Sequence, residues 1–216
     1  MAGNFNEYAP IGFSAVDFQV VSPTITTESF SGKVRRVGQG HQYYVFGVKF
    51  PPMTAYQFGP INAFIARQFG QVDSWTIILP EISYNTGYNS AFIGTPTVKG
   101  YRDQGGTLIL QPPPVGYKNA EIQGMTPNKQ QVLRAGDFFK FNNHSKVYMA
   151  TSDLNSDGGG TGTINFAGGL VAAVPLNQGI YTNAVPFTVI LDGDVQEFTV
   201  GSGGMTDFSF KCREVW

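Results

Sequence analysis

The sequence has few charged residues and almost no cysteine. Only 13% of its 216 residues are charged, well below the roughly 25% of an ordinary globular domain. The formal net charge is −1 and no basic run is present, so neither a nucleic-acid groove nor an anionic membrane receives electrostatic support. The lone Cys212 excludes an intrachain disulfide and a cysteine metal cluster.

Long apolar runs are missing as well. No run approaches the roughly 20 residues of a membrane-spanning helix. The first ten residues, MAGNFNEYAP, lack the basic and apolar regions of a signal peptide. We therefore expect a soluble protein made in a cytoplasm, without membrane or specific nucleic-acid partners.

Recognisable catalytic motifs are lacking too. No Gly-x-Ser-x-Gly elbow nominates a nucleophile, and neither glycine-rich run ends like a P-loop. His41 and His144 stand alone, without the further ligands that a zinc site needs. Glu121, Glu197 and Glu214 share no motif that would indicate a glycosidase pair. The sequence thus predicts no catalytic residues and no cofactor.

The best metal candidate is the segment DLNSDG. Asp153, Asn155, Asp157 and Gly158 match positions 1, 3, 5 and 6 of a calcium-binding loop. Ile164 occupies position 12, where such a loop needs a bidentate glutamate. Because clusters of Asp, Asn and Gly also build hairpin turns, we predict a turn here and keep calcium as the weaker alternative.

The strongest local signal is a strand, a helix and a strand between residues 43 and 80. The run YYVFGVKF alternates apolar residues and predicts a half-buried strand. Between residues 54 and 69 apolar residues recur at helical spacing. Pro60 is expected at or near the first helical turn, and Gly70 is expected at the C′ position. Trp75–Leu79 predicts the second strand.

The remaining pattern predicts a mainly β protein with this one helix. The 27 glycines, 13 prolines and 18 phenylalanines suit short strands joined by tight turns. Phe208, Phe210 and Cys212 share one parity in a C-terminal strand, with Cys212 as a small core residue. The two ends of the chain are strongly patterned and the middle is not. We therefore predict a discontinuous β-sandwich of residues 1–88 and 176–216, with residues 89–175 inserted as a small β domain. Within the insert, residues 163–166 are expected to pair with residues 146–151.

Three stretches resemble virion structural proteins of tailed bacteriophages, and together they span more than half of the chain. They are VRRVGQGHQYYVFGVKFPPMTAYQFGPINAFIARQFGQVDSWTIILPE, LRAGDFFKFNNHSKVYMATSDLNSDGGGTGTINF and DVQEFTVGSGGMTDFSFKCREVW. Among such proteins, one helix beside a β-sandwich is similar to the tail-tube fold. Distal tail proteins share that fold and add an inserted or appended β domain. The resemblance thus implies a tail-tube-like β-sandwich.

The resemblance also implies a function. It points to a non-enzymatic homo-oligomer, a hexameric ring of the tail tip or baseplate hub that joins the tail tube to the tip. Its partners would be other tail tube, hub or fibre proteins, and its place the virion tail. Low charge and 14% aromatic residues also favour buried subunit contacts. Three alternatives stay open: a capsid decoration or head–tail connector protein, a carbohydrate-binding host-recognition module whose tyrosines form a sugar-binding face, and a hydrolase with a dispersed active site.

Overall fold

In the computed structural model, which describes residues 3–9, 11–38, 40–201 and 203–216, the chain is mainly β. The described part contains fifteen strands, one α-helix and two short 3-10 helices, Phe5–Glu7 and Asn89–Ala91. The helix α1 spans Ala55–Arg67. The strands are β1 (Ala15–Val21), β2 (Thr24–Glu28), β3 (Val34–Gly38), β4 (Tyr43–Lys49), β5 (Trp75–Ile77), β6 (Phe92–Arg102), β7 (Leu108–Ile109), β8 (Asn119–Met125), β9 (Phe138–Phe141), β10 (Val147–Met149), β11 (Thr161–Asn165), β12 (Ile180–Tyr181), β13 (Phe187–Leu191), β14 (Phe198–Val200) and β15 (Thr206–Glu214).

The main sheet is antiparallel and has the strand order β1-β4-β15-β13-β5. On one edge of β15, β13 pairs with the C-terminal half and β14 pairs with the N-terminal half. On the other edge β15 pairs with β4, so that Cys212 lies opposite Phe46 and Phe210 lies opposite Val48. All four of these side chains are buried. The alternation predicted for the β4 and β15 segments is therefore confirmed, and Cys212 is a core residue.

Helix α1 packs its apolar stripe, including Phe58, Ile61 and Phe64, into the same core. Its N-cap is Thr54, whose N–H donates to the Gln57 Oε1 atom at 3.0 Å. Pro60 is the sixth helical residue, so the prediction that placed it at or near the first turn is wrong by one turn. Pro60 faces solvent, where water can serve the carbonyl group that a proline leaves without its N–H partner.

The end of α1 also differs from the expectation. The C-cap is Gln68, and the C′ position is taken by Phe69 with φ +52°. Gly70, predicted for that position, comes one residue later and has φ +66°. Two consecutive residues thus adopt the left-handed conformation that glycine favours and a phenylalanine rarely adopts.

The middle of the chain forms two smaller sheets with the orders β11-β8-β6-β7 and β10-β9-β12. Strand β11 pairs with β8 along its whole length. Only one isolated bridge, Ala150 to Phe166, connects the segments that were expected to pair. That prediction therefore holds only at this bridge, where the Thr151 N–H donates to the Asn165 carbonyl at 2.9 Å. Further pairing is prevented because the turn before β11 is fixed to the end of β8, where the Met125 N–H donates to the Gly160 carbonyl at 3.1 Å.

Buried apolar residues form two clusters. The first core joins the main sheet, α1 and the N-terminal segment, and the second core lies among the smaller sheets. Phe138 and Val147 belong to the first core, although they lie within residues 89–175. A mainly β, sandwich-like fold with one helix in the described part is confirmed, whereas the division into domains 1–88 with 176–216 and 89–175 stays a prediction.

Candidate assembly surfaces

One edge of the main sheet is closed by the N-terminal segment. The Thr76 N–H on β5 donates to the Gly3 carbonyl at 3.0 Å. The Asn6 side chain then bonds both backbone groups of Ile78, accepting from N–H at 2.8 Å and donating to the carbonyl at 2.9 Å. Because the polar groups along β5 already have partners, no further strand is needed there.

The opposite edge, at β1, is open. Strand β1 pairs with β4 from Ala15 to Val21, and within the described residues no strand pairs with its other side. Its one ion pair, between Asp17 and Lys49 at 2.8 Å, is exposed and contributes little to stability. An unpaired row of backbone N–H and C=O groups is a template for another strand.

A protruding hairpin follows this open edge. Strands β2 and β3 pair only with each other, and every residue from Thr24 to Gly38 is exposed. Phe30 at its tip has its side chain fully in solvent, at 112% of the reference exposure. We call Thr24–Gly38 the β2–β3 hairpin. Its sequence also contains the basic residues Lys33, Arg35 and Arg36.

The residues considered as calcium ligands accept hydrogen bonds that stabilise turns. The carboxylate of Asp157 accepts from the Gly159 N–H, the Thr161 N–H and the Thr161 hydroxyl at 2.7–2.9 Å. Asp153 accepts from the Ala135 N–H at 2.9 Å and from the Gln131 side chain at 3.1 Å. These hydrogen bonds lower the pKa of both carboxyl groups.

Asn155 contributes in the same way, because its Oδ1 accepts from the Gln131 N–H at 2.8 Å. Each of the three side chains therefore has protein donors of its own. Within the described ranges, no group of three or more His, Cys, Asp and Glu side chains is arranged to hold a metal ion. No helix in those ranges is both long enough and apolar enough to cross a membrane.

A buried ion pair, Lys146 with Glu214, connects the middle of the chain to its C-terminal strand. The Glu214 Oε1 also accepts from the Val147 N–H at 2.8 Å. The Lys146 Nζ lies 4.6 Å from the ring centre of Tyr44 and 4.8 Å from that of Trp216. Burial lowers the pKa of Lys146 and raises the pKa of Glu214, and their mutual attraction opposes both changes.

Nothing in the sequence pairs these two residues, which are 68 positions apart. One signal does point to Glu214, because it continues the buried parity of Phe208, Phe210 and Cys212. A carboxylate at a core position requires a buried partner. That reasoning would have found Glu214 but not the identity of Lys146.

The two histidines have separate roles. The His41 Nδ1 lies 3.3 Å from the Gly168 carbonyl. The Tyr148 hydroxyl accepts from the Val171 N–H at 3.1 Å and donates to the His144 Nε2 at 2.8 Å. The other ring nitrogen of His144, Nδ1, then carries the proton and donates to the Asn143 Oδ1 at 2.8 Å. Burial first, and then the charges of Lys140 and Lys146, lower the pKa of His144 to about 4. This imidazole is therefore neutral at pH 7.

Comparison with known proteins supports the class of protein that the sequence resembles, the structural proteins of phage tails. No protein-family model matches the chain. Over 214 residues the chain is 24% identical to the distal tail protein pb9 of Escherichia phage T5. The similarity covers 96% of this chain and 94% of that protein. The resemblance inferred from the sequence is thus confirmed, and a structural role in a virion tail is supported along nearly the whole chain.

Proposed function

We propose that this protein is a non-enzymatic, ring-forming component of the distal end of a phage tail, with six copies joining the tail tube to the tip or baseplate. The observation that carries this proposal is the difference between the two edges of the main sheet. One edge is closed by Gly3–Glu7, whereas β1 and the hairpin after it are left open. An open edge on every copy allows a neighbour to extend the sheet.

The sequence relative supports a position at the distal end of the tail, because its name describes a distal tail protein. A closed ring would cover apolar side chains that the monomer exposes. It would also prevent head-to-tail contacts from continuing into fibres. The partners would then be tail tube, hub or fibre proteins.

A sugar-binding face is less well supported as a second function. The tyrosines considered for it are Tyr43, Tyr44, Tyr84, Tyr88, Tyr101 and Tyr117. Tyr44 is only 1% exposed and belongs to the first core. Tyr117 packs against the second core and against Tyr101, with ring centres 4.7 Å apart. Tyr44 thus belongs to a different part of the fold from Tyr101 and Tyr117, and the three rings do not share one platform.

Negative-stain imaging of the purified protein, with light scattering for its mass, tests the ring. We expect six-fold particles for the wild type. Val20→Lys places a charge on β1 and should weaken ring formation, because lysine on an edge strand opposes pairing. Val115→Lys is the matched control, an exposed valine in the middle of the chain. A protein that stays monomeric at high concentration, and occupies non-cyclic positions in the intact particle, would contradict the proposal.

A further inference from the structure

We infer that the β2–β3 hairpin of one copy docks into a groove beside the C-terminal end of α1 on a neighbouring copy. The groove, called the α1 groove, has a volume of about 580 Å³ and is lined by residues that include Ile65, Phe69, Val72, Leu191, Asp194 and Gln196. This inference rests on the proposed ring and names two surfaces that would contribute to its subunit contact beside the open β1 edge.

The hairpin needs a partner for its own stability. It is a two-stranded unit with no buried residue, and an isolated two-stranded hairpin is at best marginally stable in water. Its register puts Ile25 opposite Val37 on one face, whereas Val34 lies opposite Glu28 on the other. With the exposed Phe30 at the tip, the hairpin presents apolar groups on both faces and at its end.

The α1 groove also has an unusual feature of its own, the backbone conformation and exposure of Phe69. Phe69 keeps a left-handed backbone, φ +52°, while 79% of its side chain is exposed. A bulky residue in this conformation costs about 1–3 kcal/mol and persists only where the surrounding structure holds it. Val72, in the same groove, is 72% exposed. The fold thus holds two apolar side chains outward beside a cavity without burying either.

The charges of the two surfaces are complementary. Residues 24–38 contain Lys33, Arg35 and Arg36 against one acidic residue, Glu28. The segment DGDVQE at residues 192–197, beside the groove, contains three acidic residues and no basic one. The C-terminal end of α1 adds a partial negative charge, part of which Arg67 in its last turn offsets. Since Arg35 and Arg36 lie on opposite faces of the hairpin, either face can present a guanidinium group.

Both surfaces belong to the same chain, and this identifies the occupant as a second copy. The hairpin is exposed from end to end in its own subunit, so it does not fill its own groove. A contact between two different patches of identical chains is head-to-tail, and it closes into a ring when the rotation permits. Burial of Phe30 beside Phe69 and Val72 would supply the apolar part of this contact.

Disulfide trapping tests the contact directly. In Phe30→Cys/Phe69→Cys, mild oxidation should join copies into a ladder that ends at the ring size. The native Cys212 is fully buried and should not react. The matched control is Phe30→Cys/Tyr56→Cys, because Tyr56 is exposed near the other end of α1. Equal cross-linking of the two variants, or none in either, would overturn the inference.

Complementation tests its direction. Arg35→Glu/Arg36→Glu reverses the charge of the hairpin, and Asp194→Arg reverses a charge beside the groove. Each variant alone should be monomeric. Their mixture should assemble into alternating rings, because the native hairpin fits the native groove and the reversed hairpin fits the reversed groove. The three substitutions together in one chain should restore rings. All substituted residues are exposed, so each variant should melt like the wild type. Failure of the mixture to assemble would contradict head-to-tail docking.

Failure of this inference can be told apart from failure of the proposed ring. If six-fold rings persist in Arg35→Glu/Arg36→Glu, the ring stands and the contact is wrong. If Phe30→Cys/Phe69→Cys forms a ladder without closed particles, the contact stands and the ring is wrong. If the wild type does not assemble and Phe30→Cys/Phe69→Cys does not cross-link at high concentration, both are wrong.

Discussion

The residues around the first core and those around the second core differ in how they treat polar and apolar groups. Around the first core, aromatic rings fill the interior: Phe5 alone lies within about 6 Å of five other rings. Apolar side chains such as Phe30 and Phe69 are nevertheless left in solvent there. Around the second core, carboxylates are buried and fully engaged. Glu121 accepts from Thr163 at 2.6 Å and pairs with Arg102 at 3.3 Å.

Asp137 shows the same behaviour near the second core. It accepts from the Thr86 N–H, the Thr86 hydroxyl and the Arg134 N–H at 2.7–3.1 Å. Buried polar groups cost little only when their hydrogen bonds are complete. The buried carboxylates of the middle of the chain therefore need no further partner, whereas the unpaired strand edge and the protruding hairpin both belong to the main-sheet part. This difference teaches where assembly contacts belong, and the following experiments challenge it.

The largest effect is expected at the link between the two parts. Glu214→Ala leaves Lys146 charged and buried without its partner, which should lower the free energy of unfolding by about 3–5 kcal/mol. Chemical denaturation at pH 7 measures this loss. Glu197→Ala, which removes an exposed glutamate, should change stability by less than about 0.5 kcal/mol.

The double variant Lys146→Met/Glu214→Leu separates pairing from burial. Replacing both charges with apolar groups of similar size should recover most of the stability lost in Glu214→Ala, because neither ion then needs a partner. If Glu214→Ala were as stable as the wild type, the ion pair would not connect the two parts energetically.

A smaller effect should appear with pH at His144. In the folded protein its pKa is about 4, against a usual value of 6.5. As pH falls below about 6.5, the unfolded chain therefore takes up a proton that the folded protein does not yet bind, and stability is lost until about pH 4. Allowing for partial exposure of the ring, we expect a loss of about 1 kcal/mol between pH 7 and pH 5 from this residue.

His144→Gln should reduce the slope of unfolding free energy against pH over this window. Tyr148→Phe should also reduce it, because the hydroxyl that donates to the His144 Nε2 is removed. Denaturation curves at pH 7, 6 and 5 give the slopes. Identical slopes in the wild type and in His144→Gln would show that the neutral imidazole is not linked to folding.

The smallest effect, none at all, is expected from calcium. Asp153, Asn155 and Asp157 accept hydrogen bonds within their own turn and from residues 131–135. A ligand that binds the folded state must raise the melting temperature. Millimolar calcium should therefore leave it unchanged. A rise of several degrees that Asp157→Ala abolishes would instead identify a metal site.

The sequence predicted those parts of the fold in which one face alone is buried. β4, α1 and β15 each carry a regular apolar period. The longest strand, β6, gave no such signal. Its register against β8 shifts between Phe92 and Thr97 and again between Val98 and Gly100. Irregularities of this kind break the two-residue period, and a pairing defined by two bulges cannot be read from composition.

The candidate site was less accessible to prediction for a different reason. Residues 33–36 include three basic side chains, a composition typical of exposed strands, and the hairpin has that exposure. The β2–β3 hairpin is notable because no other described residue packs on either of its faces. That property depends on where the rest of the chain lies. Likewise, the buried partner of Glu214 is chosen by tertiary packing, which local sequence patterns do not encode.

The hydrogen bonds between Gly3–Glu7 and the β5 region have a consequence for aggregation of the protein. With the β5 edge covered, each molecule offers its neighbours one unpaired edge of the main sheet, at β1. Proteolytic removal of residues 3–7, or a bulky fusion that displaces them, would give each molecule two unpaired sheet edges. A protein with two such edges can polymerise without limit. The few residues that cover the β5 edge therefore limit growth of the sheet, and favour a particle of defined size over an aggregate.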